Sequence, residues 1–299
     1  MMPKSIYLDY MSTTPVDPRI IPEMLHYLGP DGIFANPASV QHSYGQQAAI
    51  AIEQAREKMA AVIGASPEAL IFTSGATEAN NLAILGAAQF YHRKGRHVIT
   101  MSTEHKSVLD TFRQLERQGF EVSYLSPQSS GLLDLEDLKR ALRPDTILVS
   151  IMHVNNEIGV IQDIANIGAL LQNKGIIFHV DAAQSAGRLP INLANLSVHL
   201  MSFSAHKNYG PKGVGALFIS QNPRIRLQAQ SFGGGQERGL RAGTLPTHQI
   251  IGMSAAFVLS ESLRTHEQAR LLEMRDTLWK KLQTIPGVVG NGSMTQRIA

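Results

Sequence analysis

The sequence has no cysteine at all, which excludes disulfides and thiolate metal sites within its 299 residues. It also has no long hydrophobic run: no stretch approaches the roughly 20 apolar residues of a membrane span. The N-terminal segment Met1–Tyr10 lacks the apolar stretch of a secretory signal and runs directly into a strand-like segment. Strong charge of one sign is missing too. The net charge is +3 and the basic residues are scattered (Arg93, Lys94, Arg96; Arg224, Arg226), alternating elsewhere with acids, so nothing marks a nucleic-acid surface. The eleven histidines contain no His-x-x-x-His pair and no suitably spaced acids, so no metal centre is expected. The expectation left by these absences is a cytoplasmic, metal-free protein with neither nucleic acid nor membrane as a partner.

What is present is a globular composition, 43% apolar and 17% charged, on a chain long enough to bury a substantial core. Helix-like and strand-like segments alternate along it. Apolar residues recur at helical spacing over 43–63, and Leu70-Ile71-Phe72-Thr73 is a short buried-strand run. A helix then extends to about Arg93, followed by strand 97–101, helix 105–118, strand 121–125, helix 134–142, strand 146–151, helix 163–174, and strands 176–181 and 198–203. Short apolar, β-branched runs separated by longer helices predict a mainly parallel sheet covered by helices, an α/β fold. Residues 260–284 read as a long charged helix, and Pro286-Gly287-Val288-Val289-Gly290 as the start of a new strand.

Open α/β sheets bind ligands at the carboxyl ends of their strands, so the strand ends are where candidate site residues are sought. Ser74-Gly75-Ala76-Thr77 follows the strand at 70–73 and begins a helix. It is either an ordinary cap, with Glu78 in the first turn, or a cradle for an anion such as phosphate. Asp181 ends strand 176–181; it is either a turn former or a buried carboxylate that keeps a pyridine nitrogen protonated. Gln184, three residues on, could reach the phenolic oxygen of the same ring. Lys207 follows strand 198–203 in the small, glycine-rich turn Ser204-Ala205-His206-Lys207-Asn208-Tyr209-Gly210, where burial would make a lysine nucleophilic. Ser204 and His206 have the chemistry to hold a phosphate beside it. His105 is either a structural histidine or a ring stacked on a planar cofactor, and Asn156 lies in the polar loop Asn155-Asn156-Glu157-Ile158-Gly159. Gly233-Gly234-Gly235 and Gly239-Leu240-Arg241-Ala242-Gly243-Thr244 form a second glycine-rich segment suited to anions.

Together, Tyr7-Leu8-Asp9-Tyr10 with Thr13-Thr14-Pro15, Thr73-Ser74-Gly75-Ala76-Thr77-Glu78, Thr103-Glu104-His105, the Asn155–Gly159 loop, Asp181-Ala182-Ala183-Gln184, Ser204-Ala205-His206-Lys207 and Arg241-Ala242-Gly243-Thr244 resemble the NifS/IscS-type cysteine desulfurases. These belong to the class V aminotransferase family of fold-type-I enzymes that use pyridoxal 5'-phosphate (PLP). The resemblance extends over essentially all 299 residues. It implies a large PLP-binding domain over 16–258, an N-terminal segment at 1–15, and at 259–299 a long helix opening a small C-terminal domain that is largely missing. It implies that Lys207 binds the cofactor covalently and shuttles protons, that Asp181 pairs with the ring nitrogen, and that His105 stacks on the ring. Gln184 would lie near the ring oxygen and Asn156 near the ring and the substrate carboxylate. Ala76, Thr77, Ser204 and His206 would hold the phosphate, with Thr244 contributed across a homodimer interface. The implied substrate is L-cysteine, converted to L-alanine, and the implied partner is an iron–sulfur scaffold or other sulfur acceptor. That chemistry needs a thiolate to take the sulfur as a persulfide, and these residues contain no cysteine. The alternatives are a catalytically incomplete PLP-binding or interaction protein, and a related class V lyase or aminotransferase such as a selenocysteine lyase.

Overall fold

The computed structural model describes residues 5–299. A sheet of seven strands runs through it: β1 (Leu70–Thr73), β2 (His97–Met101), β3 (Glu121–Leu125), β4 (Thr146–Met152), β5 (Ile177–Asp181), β6 (Leu200–Ser204) and β7 (Gly215–Ile219). The strand order is β1-β7-β6-β5-β4-β2-β3. From β6 to β3 all neighbours are parallel, while β7 is antiparallel to both β6 and β1. The sheet is therefore α/β and mostly parallel, as the alternating pattern predicts, but with one reversed strand that the pattern does not announce. Its cause is the connection: only residues 205–214 separate β6 from β7, too few for the helical crossover that a parallel return requires.

The helices are α1 (Ile21–Leu25), α2 (Ser43–Val62), α3 (Ala76–Tyr91), α4 (Lys106–Arg117), α5 (Leu135–Ala141), α6 (Ile164–Leu171) and α7 (Thr247–Leu282). They cover both faces of the sheet. Alternating strand residues supply two cores, because successive side chains point to opposite faces. Leu70, Phe72, Phe178, Val180, Met201 and Phe203 face a core that also takes in residues of α2, α6 and α7. Ile71, Ile177, Leu200 and Leu217 face the other, shared with α3 and α4. The central strands β4, β5 and β6 are buried along their whole length.

Three expectations are overturned. The long helix runs from Thr247 to Leu282, beginning thirteen residues before the expected position 260, because its first three turns are apolar and buried (Ile250, Ile251, Met253, Ala256, Phe257). No strand forms at 286–290. Gly287 turns the chain at φ +82°, Val289 is 80% exposed, and among the described residues the tail's β-bridge is Arg297 to Val160, beyond this segment. Likewise residues 5–10 form no strand.

Candidate functional site

The carboxyl ends of the parallel strands open onto a cavity of about 920 Å³. Its lining includes Ala76, Thr77, His105, Asn156, Asp181, Gln184, Ser204, His206 and Lys207. Nine of the ten residues singled out from the sequence are thus brought to one place. Thr244 is not among them: it is exposed and lines a separate 410 Å³ cavity with Asn36, Ile52 and Arg56.

One end of the cavity is built for an anion. The N-cap of α3 is Gly75, which has no side chain to cap the helix, so the N–H groups at its start face the cavity unspent. Of the two readings of Ser74–Thr77, the side-chain cap is absent. Glu78 instead folds back to accept from Ser74 N (2.6 Å) and pairs with Arg241 (2.9 Å). Burial opposes its charge, but the hydrogen bonds from Arg241 and Ser74 outweigh that and hold its carboxyl below the usual range. Opposite the helix end, the Ser204 hydroxyl is buried with no hydrogen-bond partner among the described residues, a donor waiting for a ligand oxygen. Gly215 closes this end: a Cβ there would stand 2.6 Å from Gly75 Cα and 2.5 Å from the Phe203 carbonyl.

The other end is polar and of mixed charge. Asp181, last residue of β5 and 5% exposed, accepts from Asn80 Nδ2 (2.8 Å) and from Ala183 N (2.9 Å). The turn-forming role and an inward carboxylate are therefore both present in one side chain. His105 caps α4, its Nδ1 accepting from Ser107 N at 3.1 Å, which leaves Nε2 as the protonated nitrogen when the ring is neutral. Asn155 organises its loop by accepting from Glu157 N and Ile158 N, while Asn156 is the neighbour that reaches the cavity wall.

Lys207 sits in a turn stitched to the N-terminal segment. Thr14 N and Oγ1 both donate to the His206 carbonyl (2.8 and 3.0 Å), and Tyr209 N donates to Thr14 Oγ1 (2.8 Å). Desolvation lowers the affinity of Lys207 for its proton. Asp181, Glu157 and Asp9 oppose this, and Arg188 adds to it. His206, bonded to Thr13 Oγ1 at 3.0 Å, is also held below its ordinary pKa, first by burial and then by Lys207 and Lys212. The set suits an aromatic phosphate aldehyde: an anion cradle, an inward carboxylate for a ring nitrogen, and an amine disposed to lose its proton.

Several residues that support this arrangement were not read from the sequence. Asn80 holds Asp181, Ser107 bridges Asn80 and His105, Gly215 admits the α3 turn, and Met11 offers its carbonyl to Gln184 and Lys207. Asn80 differs from the adjacent Asn81 in lying on the buried face of α3, a distinction made by the fold. Among the described residues no cluster of His, Asp or Glu could hold a metal ion, and no helix is long and apolar enough to cross a membrane.

The family model described as aminotransferase class-V matches residues 6–298. The chain is 59% identical over 289 residues to cysteine desulfurase IscS of Photorhabdus laumondii subsp. laumondii, covering 97% of this chain and 72% of that protein. Among solved structures, a NifS-like protein matches with TM-score 0.94 at 36% identity, over 99% of this chain and 80% of that one. SspA, solved in complex with cysteine, matches with TM-score 0.81 at 44% identity, over 85% of this chain and 72% of that one.

Proposed function

The chain belongs to the aminotransferase class-V family, and on that premise we propose that it binds pyridoxal 5'-phosphate in the Lys207 cavity as a protein of the cysteine desulfurase type. The observation that carries this reading is the convergence of a lysine, a buried carboxylate and an open helix N-terminus on one cavity. Enzymes of this family depend on PLP, whose ring, when bound, accepts the electrons of a bond broken at the α-carbon of an amino acid.

Lys207 would hold the cofactor through its aldehyde carbon, and its buried amine favours the unprotonated form that such an attachment needs. Asp181, oriented by Asn80 and Ala183, would keep the ring nitrogen protonated. His105 is assigned to the ring face and Gln184 to the ring oxygen. The N–H groups at Ala76 and Thr77, the unpartnered Ser204 hydroxyl and His206 would take the phosphate. Thr244, exposed and outside this cavity, would reach the phosphate of a second subunit, which makes the protein a homodimer. Asn156 would lie beside the carboxylate of L-cysteine. The sulfur acceptor would be an iron–sulfur scaffold or a related protein, in the cytoplasm.

The thiol is the open point. No cysteine occurs in these 299 residues, so the thiolate that accepts sulfur must come from outside them. That observation favours, as the second reading, a PLP-binding protein that does not complete desulfuration by itself. One paired experiment separates the two. The protein is incubated with PLP, reduced with borohydride and mapped by mass spectrometry, and sulfide release from L-cysteine is then assayed. Labelling at Lys207 without sulfide supports the incomplete protein, and labelling with sulfide supports the complete reaction. Absence of labelling at Lys207 would remove the PLP assignment.

A further inference from the structure

Beside Lys207 stands a cation without a counterion. Arg188, part-buried in the turn after β5, makes no salt bridge with any carboxylate among the described residues, although the nearby Arg19, Arg264 and Arg270 each have one. Its guanidinium donates instead to neutral acceptors: Gln184 Oε1 at 2.8 Å, the Lys207 carbonyl at 3.4 Å and the sulfur of Met11 at 3.3 Å. A desolvated cation held only by neutral groups costs stability, and burial accordingly lowers its own proton affinity. Such a group calls for an explanation other than stability.

The contacts supply one. A guanidinium has only donors, so the atom of Gln184 that it meets must be the carbonyl oxygen. This settles which end of the amide is which: Gln184 Nε2 points to the Met11 carbonyl, at 3.0 Å. Met11 O also receives Lys207 Nζ at 3.5 Å. Arg188, Gln184, Met11 and Lys207 therefore form one connected set: Gln184, Met11 and Lys207 line the cavity, Arg188 stands behind them against an adjoining cavity of about 700 Å³, and the amide presents a donor beside the lysine amine.

We propose that Arg188 is a positioning residue for the candidate active site, orienting the Gln184 amide as a donor and placing an uncompensated positive charge beside Lys207. The inference rests on the PLP reading for its purpose but not for its measurement. His105, His206, Lys212 and the Arg241-paired Glu78 line the same cavity, and Tyr10 and Tyr209 the adjoining one; the charges that act on Lys207 itself are Asp181 from β5, Glu157 from the loop after β4, Asp9 from the N-terminal segment, and Arg188. Three of these are acids that favour the ammonium. Arg188, with burial, is what works against them, and so favours the free amine required for attachment to an aldehyde.

The test reads Lys207 directly. Trace labelling with acetic anhydride across a pH series, with peptide mapping, gives the ionisation midpoint of Lys207 with no cofactor added. In Arg188→Gln the midpoint should rise by about one pH unit, the order expected when a neighbouring like charge is lost in a partly shielded site. Arg188→Lys, which keeps the charge, should leave it near the wild-type value. Because the guanidinium is unpaired, Arg188→Gln should melt no lower than the wild type. An unmoved midpoint in the Gln variant, an equal shift in the Lys variant, or loss of the folded protein would each overturn the proposal, the last by assigning Arg188 a structural role. If PLP fails to label Lys207 while the midpoint behaves as expected, it is the cofactor reading that fails and not this one.

Discussion

A buried side chain is governed by whichever solvation or hydrogen-bond effect is largest at its position. Ser204 has no partner for its hydroxyl among the described residues, so Ser204→Ala should leave the apo fold intact while weakening PLP affinity roughly five- to tenfold, the size of one hydrogen bond; equal affinity by fluorescence titration would remove Ser204 from the phosphate site. His179 shows the opposite balance, with both ring nitrogens satisfied by Ser150 Oγ (2.8 Å) and Ser202 Oγ (2.9 Å). Desolvation drives its pKa down to about 3. The unfolded imidazole takes up a proton below its ordinary pKa and the folded one does not, so stability is present above about pH 6.5 and is lost as pH falls towards 3. The loss from His179 alone should reach roughly 3 kcal/mol at pH 4. Urea midpoints at pH 7, 5 and 4 measure it, and His179→Asn should flatten the dependence.

Between elements, the informative joint is the one that ties the edge strand β1 to the glycine-rich segment. Arg56 of α2 and Glu237 form an ion pair at 2.7 Å with both side chains almost fully buried, and Glu237 also accepts from Phe72 N at 2.6 Å. The guanidinium lies 4.6 Å from the centre of the Phe72 ring. Arg56 also pairs with the exposed Glu53 at 3.1 Å, but losing Glu237 takes the buried acceptor from both the guanidinium and Phe72 N, so Glu237→Ala should cost about 3 kcal/mol, whereas replacing both partners with apolar residues should cost much less. A double-mutant cycle by chemical denaturation checks this. Gly215→Ala tests a second joint, where α3 approaches β7. Its Cβ would meet backbone at 2.5–2.6 Å, so the α3 turn must move, at roughly 1–3 kcal/mol and with loss of the anion cradle. A variant of wild-type stability with wild-type phosphate binding would show that the approach is not required.

At the scale of the molecule, the buried start and the exposed end of α7 set the expectation. Leu271, Met274, Leu278 and Leu282 form one stripe along its second half and are exposed, as are Ile285 and Val289 beyond it. A continuous apolar stripe of this kind favours association. Sedimentation should therefore find dimers or larger species, and Leu278→Gln with Met274→Gln should reduce the average mass. A separate requirement comes from Thr244, which lies outside the Lys207 cavity of its own chain. A strictly monomeric protein binding PLP with full affinity would contradict the role given to Thr244.

The sequence by itself determined the strands β1 to β6 and their helices to within a few residues, because each such segment declares itself by local periodicity and by the glycines and polar residues that bound it. It also determined which residues stand at the strand ends, and hence the candidates from Ala76 to Lys207. Local pattern could not show that β7 runs backwards, since that depends on the length of a connection and on an open strand edge. Nor could it show that α7 begins at Thr247, where burial against α2 extends an apolar helix. Asn80 beside Asp181, Gly215 beside Gly75, and Arg188 beside Gln184 and Lys207 were decided by tertiary structure alone. Asn80 and Asp181 are 101 positions apart in the chain, and such meetings follow from the order of strands in the sheet, a long-range property that no local window of sequence contains.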